Sequence, residues 1–157
     1  MKQRIYLETT IPSYLVSKPS RNAVVAGHQR ITCQWWRTRR KSFDVYISQF
    51  VIDEAALGRP SAANARLAAI AKLPLLDITE NVLLLASSLL RSGVIPPKAA
   101  TDAAHVAVSA VHGMKFLVTW NCAHLANALR IDSIRRVCED GGYPCPVICT
   151  PEQLMED

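Results

Sequence analysis

The chain has 157 residues, of which 50% are hydrophobic, and 18 basic against 13 acidic residues leave a net charge of +5. That length suits one domain over residues 1–157 with a full core, and the apolar content excludes a disordered chain. No apolar run is long enough to cross a bilayer and the N-terminus shows no signal peptide, so a cytoplasmic protein off the membrane is expected.

Taken in order, Gln3–Leu7 reads as a strand that delivers Glu8, Thr9 and Thr10 to its carboxyl end. A short helix around Tyr14 and Leu15 follows, and Ser20 is the expected N-cap of a long helix running to about Lys41. The end of that helix, Trp35 to Lys41, is strongly basic. Complementing the helix dipole is the simpler account, and a phosphate-contacting patch with aromatic support is the alternative. Asp44–Ile47 is a second strand, after which Ser48 caps a helix from Gln49 to Leu57 closed by Gly58. Asp53 and Glu54 on that helix diverge by about 100°, so only one of them can face a given point. An alanine-rich helix spans Ser61–Lys72, and Leu73–Ile78 is a strand broken by Pro74, hence an edge. Thr79 caps a helix over Glu80–Arg91.

Pro96 and Pro97 then open a helix whose stripe is Ala99, Ala103, Val106, Ala107, Ala110 and Val111, ended by a left-handed Gly113. Lys115–Thr119 is a short β-branched strand, buried on both faces, that ends in Trp120 and Asn121. Leu125, Ala126, Leu129, Ile134, Val137 and Cys138 predict another amphipathic helix, stopped at Gly141-Gly142. Pro146–Cys149 is the last strand, and Thr150-Pro151 starts a final helical turn. This alternation predicts an α/β fold with helices packed on both faces of a parallel sheet. The five cysteines are scattered, without paired metal-ligand spacing, and read as free thiols in a reducing compartment.

Three acids stand out by position. Glu8 ends strand one, Glu54 lies on the helix after strand two, and Asp102 lies on the helix before strand four, with Asn121 just past that strand. Each alone has a plain structural reading: a satisfied strand-end carboxylate, a solvated helix face, or a turn residue. If strands one and four are neighbours at the centre of the sheet, all four meet at its carboxyl edge, where open α/β sheets bind ligands. Clustered carboxylates of this kind need a cation between them, and oxygen ligands suit Mg2+ or Mn2+. Such a cation activates water for phosphodiester hydrolysis. His105 and His124 read as buried hydrogen-bonding groups rather than metal ligands, since no HxxxH or HxxE pattern supports them, and Thr119 as a strand residue whose hydroxyl reaches a neighbouring carboxylate.

The segments YLETTIPSYL, SQFVIDEAALG, IPPKAATDAAHVAVSAVHG, FLVTWNCAHLAN and ICTPEQLM together resemble the PIN-domain family, and in particular the VapC ribonuclease toxins of type II toxin–antitoxin systems. The resemblance spans nearly the whole chain. It implies a three-layer α/β/α sandwich around a mostly parallel five-stranded sheet, and Mg2+- or Mn2+-dependent cleavage of RNA. It also implies homodimers silenced by a cognate antitoxin. The family's acids fall on Glu8, Glu54 and Asp102, which would be the metal ligands, and its fourth position falls on Asn121. Glu8 stands where aspartate is usual and adds one methylene; Asn121 is neutral where an acid is usual. These departures keep a second reading open, a weak or inactive PIN-like domain that binds RNA or a protein. A receiver-like phosphotransfer domain would need an aspartate nucleophile at a central strand end, where Glu8 and Asn121 stand instead.

Overall fold

Five short segments carry the parallel sheet of the computed structural model, which describes residues 1–156: β1 (Gln3–Leu7), β2 (Phe43–Ser48), β3 (Leu75–Leu76), β4 (Phe116–Val118) and β5 (Val147–Cys149). Their order is β3-β2-β1-β4-β5, with every neighbouring pair parallel. β1 is therefore central, as the sequence reading required. The chain moves outward from β1 through β2 to β3, then returns to the other side of β1 for β4 and β5. This reversal makes the crevice beyond the carboxyl ends of β1 and β4 the switch point of the fold.

The connections are α1 (Thr10–Val16) and α2 (Ala23–Thr38), α3 (Gln49–Ala55) and α4 (Pro60–Ile70), α5 (Glu80–Arg91) and α6 (Ala100–Val111), and α7 (Ala128–Asp140). Crossovers of one hand that run in opposite directions along a sheet place their helices on opposite faces. Accordingly α1 packs on both α2 and α4, α5 packs on α6 and α7, and the expected three-layer sandwich results. On β1, Arg4 bonds the backbone of His112 and Tyr6 bonds His105, so even-numbered positions face the α6 layer. Glu8 has the same parity.

The apolar stripe expected on α6 is in fact a buried circumference, since every residue from Ala103 to Ala110 is buried. Alanine at four of these eight positions lets the sheet and α5 approach closely from both sides. Gly113 follows with φ +68°, the left-handed stop the sequence required.

Several boundaries differ from the sequence reading, each for a local reason. Asn22, not Ser20, caps α2, because its carboxamide accepts from both Val24 and Val25, while Ser20 accepts from Asn22 N–H. α2 stops at Thr38 rather than Lys41, and a 3-10 turn over Arg40–Ser42 feeds β2. Leu125 and Ala126 precede α7, which Asn127 caps, and Leu129 on its first turn is exposed. Pro74 confines β3 to two residues on the sheet edge, as a proline in that position should. The basic segment lies where β2 begins, whereas Glu54 follows the end of β2, so the two sit at opposite ends of the sheet. There Arg40 stacks on Trp36 at 4.5 Å and Arg39 pairs with Glu156 at 3.3 Å.

Candidate active site

Glu8 lies one residue beyond β1, and its N–H continues the ladder by donating to Val118 O at 3.0 Å. That bond points its side chain into the crevice, where only 4% of the residue is exposed. Its Oε1 accepts from Thr10 Oγ1 at 2.5 Å and from Thr119 Oγ1 at 2.7 Å. Thr119 thus reaches a carboxylate as expected, and its oxygen also accepts from Asn121 N–H at 2.9 Å. Burial pushes the Glu8 carboxyl above the ordinary glutamate value, against the opposing pull of His105 and the two hydroxyls.

Glu54 arrives from the last turn of α3, which Ser48 caps by accepting from Phe50 N–H. Helical geometry turns Asp53 outward to Gln49 and turns Glu54 inward. Glu54 Oε1 accepts from Thr9 Oγ1 at 2.6 Å and meets His105 Nε2 at 2.5 Å. Burial alone would raise its carboxyl. The bonds from His105 and Thr9, with the attraction of His105, outweigh burial and hold it below the ordinary range.

His105 is fully buried on α6, and its Nδ1 lies 2.7 Å from Tyr6 Oη, itself 2.8 Å from Ser48 Oγ. It is the buried hydrogen-bonding group the sequence suggested. It is also a member of the cluster. One donor atom each from Glu8, Glu54 and His105 fall within 4.8 Å of one another. Asp102 lies one helical turn before His105, half-buried, and takes no part in that closest group. Its Oδ2 accepts from Asn121 Nδ2 at 3.0 Å, while Asn121 Oδ1 accepts from His124 N–H at 3.0 Å. Burial raises the Asp102 carboxyl despite His105 and the Asn121 amide. His124, by contrast, is only half-buried, and its Nδ1 has no hydrogen-bond partner among the described residues.

The crevice therefore holds Glu8 and Glu54 around His105, and Asp102 bonded to Asn121, with Thr119 linking Asn121 to Glu8. The signal for His105 was present in the sequence: three residues after Asp102 on one helix, it shares that carboxylate's face. Its membership followed from the strand order and from Tyr6, neither of which has a linear motif. The side-chain hydrogen bonds to the Glu8 and Glu54 carboxylates land on Oε1. One carboxylate oxygen each from Glu8 and Glu54 beside the His105 imidazole form a donor set that fits a divalent cation.

No protein-family model matches the sequence, and no curated protein matches it either. In three dimensions the chain is similar to the crystal structure of VapBC2 from Rickettsia felis bound to a DNA fragment from their promoter. The match covers 94% of this chain and 98% of that one, at a TM-score of 0.53 and 14% identity. At that identity the likeness shows a shared fold.

Proposed function

We propose that this chain is a divalent-cation-dependent endoribonuclease of the PIN type, the toxin of a type II toxin–antitoxin pair, acting in the cytoplasm as a homodimer. The observation that carries the reading is the convergence of Glu8, Glu54 and His105 within 4.8 Å at the switch point of the sheet. The fold shared with VapBC2 supports it.

Glu8, Glu54 and Asp102 would hold the cation, Mg2+ or Mn2+, through carboxylate oxygens. When bound, such an ion lowers the pKa of a water and offsets charge that builds on a scissile phosphate. The residues of this chain do the positioning. Thr10 and Thr119 fix the buried Glu8 carboxylate, Thr9 fixes Glu54, and Asn121 fixes Asp102 at the mouth of the crevice. Pre-set carboxylates of this kind need no reorganisation when charge develops on the substrate.

A second reading, a binding module without catalysis, draws on one observation: the neutral Asn121 spends its amide on Asp102, so the mouth carries a single acid. Incubation of RNA with the purified protein and Mg2+ or Mn2+, beside an EDTA control and Asp102→Asn, separates the two. Metal-dependent cleavage that the variant loses is expected. Folded protein that cuts under neither metal would move the function to binding, and cleavage retained in the variant would move the chemistry to another site.

A further inference from the structure

We infer that His105 is itself a ligand of the bound cation through Nε2, so that an imidazole among the carboxylates selects a first-row transition-metal dication over Mg2+. The inference rests on the nuclease reading above and names the class of ion its site takes. Octahedral donors at about 2.1 Å from an ion stand about 3 Å apart when adjacent and about 4 Å apart when opposite. The three donor atoms here fall within 4.8 Å of one another, a spread compatible with those values. The 2.5 Å contact between Nε2 and Glu54 Oε1 needs to open by only about half an ångström.

The ring is built to stay in place. It is fully buried, tilted against Tyr6 at 5.7 Å and met edge-on by Phe50 at 6.4 Å, so it cannot swing away from the carboxylates. A metal-ligating imidazole requires a hydrogen-bond partner on its other nitrogen. Tyr6 Oη stands 2.7 Å from Nδ1 and can either donate to it or accept from it, because Ser48 Oγ at 2.8 Å can reverse its own role in turn. In the metal-free protein Nε2–H donates to Glu54. With the proton on Nδ1 and donated to Tyr6, the Nε2 lone pair faces the cluster, and no charge has been added. Mg2+ prefers all-oxygen sites, and a nitrogen donor moves the preference toward the transition series.

The test uses the full-length protein stripped with EDTA and then loaded with Mn2+, whose electron spin reports nitrogen nuclei bound to it. Pulsed EPR is expected to show modulation from a directly bound nitrogen that vanishes in His105→Asn. The ratio of Mn2+ to Mg2+ affinity, read by calorimetry, is expected to fall at least about tenfold in that variant. Tyr6→Phe keeps both rings and removes the partner of Nδ1, and it should weaken Mn2+ by about tenfold with little change for Mg2+. If Mn2+ binds without a nitrogen signal, or the signal survives in a folded His105→Asn, the inference is overturned while the nuclease reading stands. If neither ion binds the folded, unaltered protein, the nuclease reading falls and takes the inference with it. Should His105→Asn fail to fold, the spectrum of the unaltered protein and the Tyr6→Phe affinities still decide.

Discussion

Asn121→Asp would restore a fourth acid at the mouth of the crevice, and its cost can be worked from one distance. Asn121 Nδ2 lies 3.0 Å from Asp102 Oδ2, and its Oδ1 accepts from His124 N–H. Aspartate keeps the second bond and turns the first into a contact between two carboxylate oxygens. At that separation and an effective dielectric near 20, two unit charges repel by about 5–6 kcal/mol. The lost hydrogen bond to a charged acceptor adds about 1.5–3 kcal/mol. Both side chains are half-buried, so rotation toward solvent and uptake of a proton by one of them relieve much of this. A net loss of about 2–3 kcal/mol at neutral pH without metal is the expectation, or a urea midpoint lower by about 1–1.5 M for a slope near 2 kcal/mol per M. The folded pair binds a proton more tightly than the unfolded chain does. The deficit is therefore full above the raised folded value and shrinks as the pH falls through it. Millimolar Mn2+ should close the gap, because the extra carboxylate strengthens a ligand that binds only the folded state. Equal midpoints for variant and unaltered protein in EDTA, at neutral and at acid pH, would refute the geometry argued here.

Other substitutions probe the same crevice. Glu8→Gln can still accept from Thr10 and Thr119 but removes a buried charge whose folded value burial has raised. Ionised Glu8 opposes folding above that value, so in EDTA the variant should melt a few degrees higher near neutral pH. The gain should fade as acid protonates Glu8 in the unaltered protein, and stabilisation by Mn2+ should be lost. Thr119→Val leaves Asn121 N–H without its acceptor and Glu8 Oε1 short of one donor, and should cost about 2–3 kcal/mol in urea unfolding. Among the cysteines, Cys122 is exposed, whereas burial pushes the Cys149 thiol up to about 12. Thiol labelling followed by mass spectrometry should modify Cys122 first, and Cys138 and Cys149 only on unfolding; early labelling of Cys149 would contradict the packing.

The elements were readable wherever one local interaction decides them. Ser48 and Thr79 each cap the helix expected of them, Gly113 adopts the left-handed stop, and Pro74 sits on an edge. Reading failed where two residues competed for one role. Ser20 and Asn22 are both N-cap types, and only the one at the start of α2 has an oxygen placed to accept from two amides. Leu129 fits an apolar period only with Leu125 and Ala126, which lie before α7, and within the helix it stands about 140° from Ile134 on the buried face, so it is exposed. In the site, the acids stood out in the sequence by position, Glu8 at the end of a strand, Glu54 on the helix after one and Asp102 on the helix before one. The bonds that orient them did not, because Tyr6, Ser48 and His105 come from three distant segments whose contact depends on strand order.

Segments made far apart in time meet at Glu8. The Thr119 hydroxyl that steadies its carboxylate lies 111 residues later in the chain. At about 5–20 residues per second, synthesis of that interval takes roughly 6–22 s. Until then β1 lacks β4 as a neighbour and Asp102 lacks the Asn121 amide. A nascent or prematurely stopped chain thus holds Glu8 and Glu54 with no crevice around them. Whatever chemistry the site performs begins only after Thr119 and Asn121 have been made, and fragments that stop short of them do not carry it.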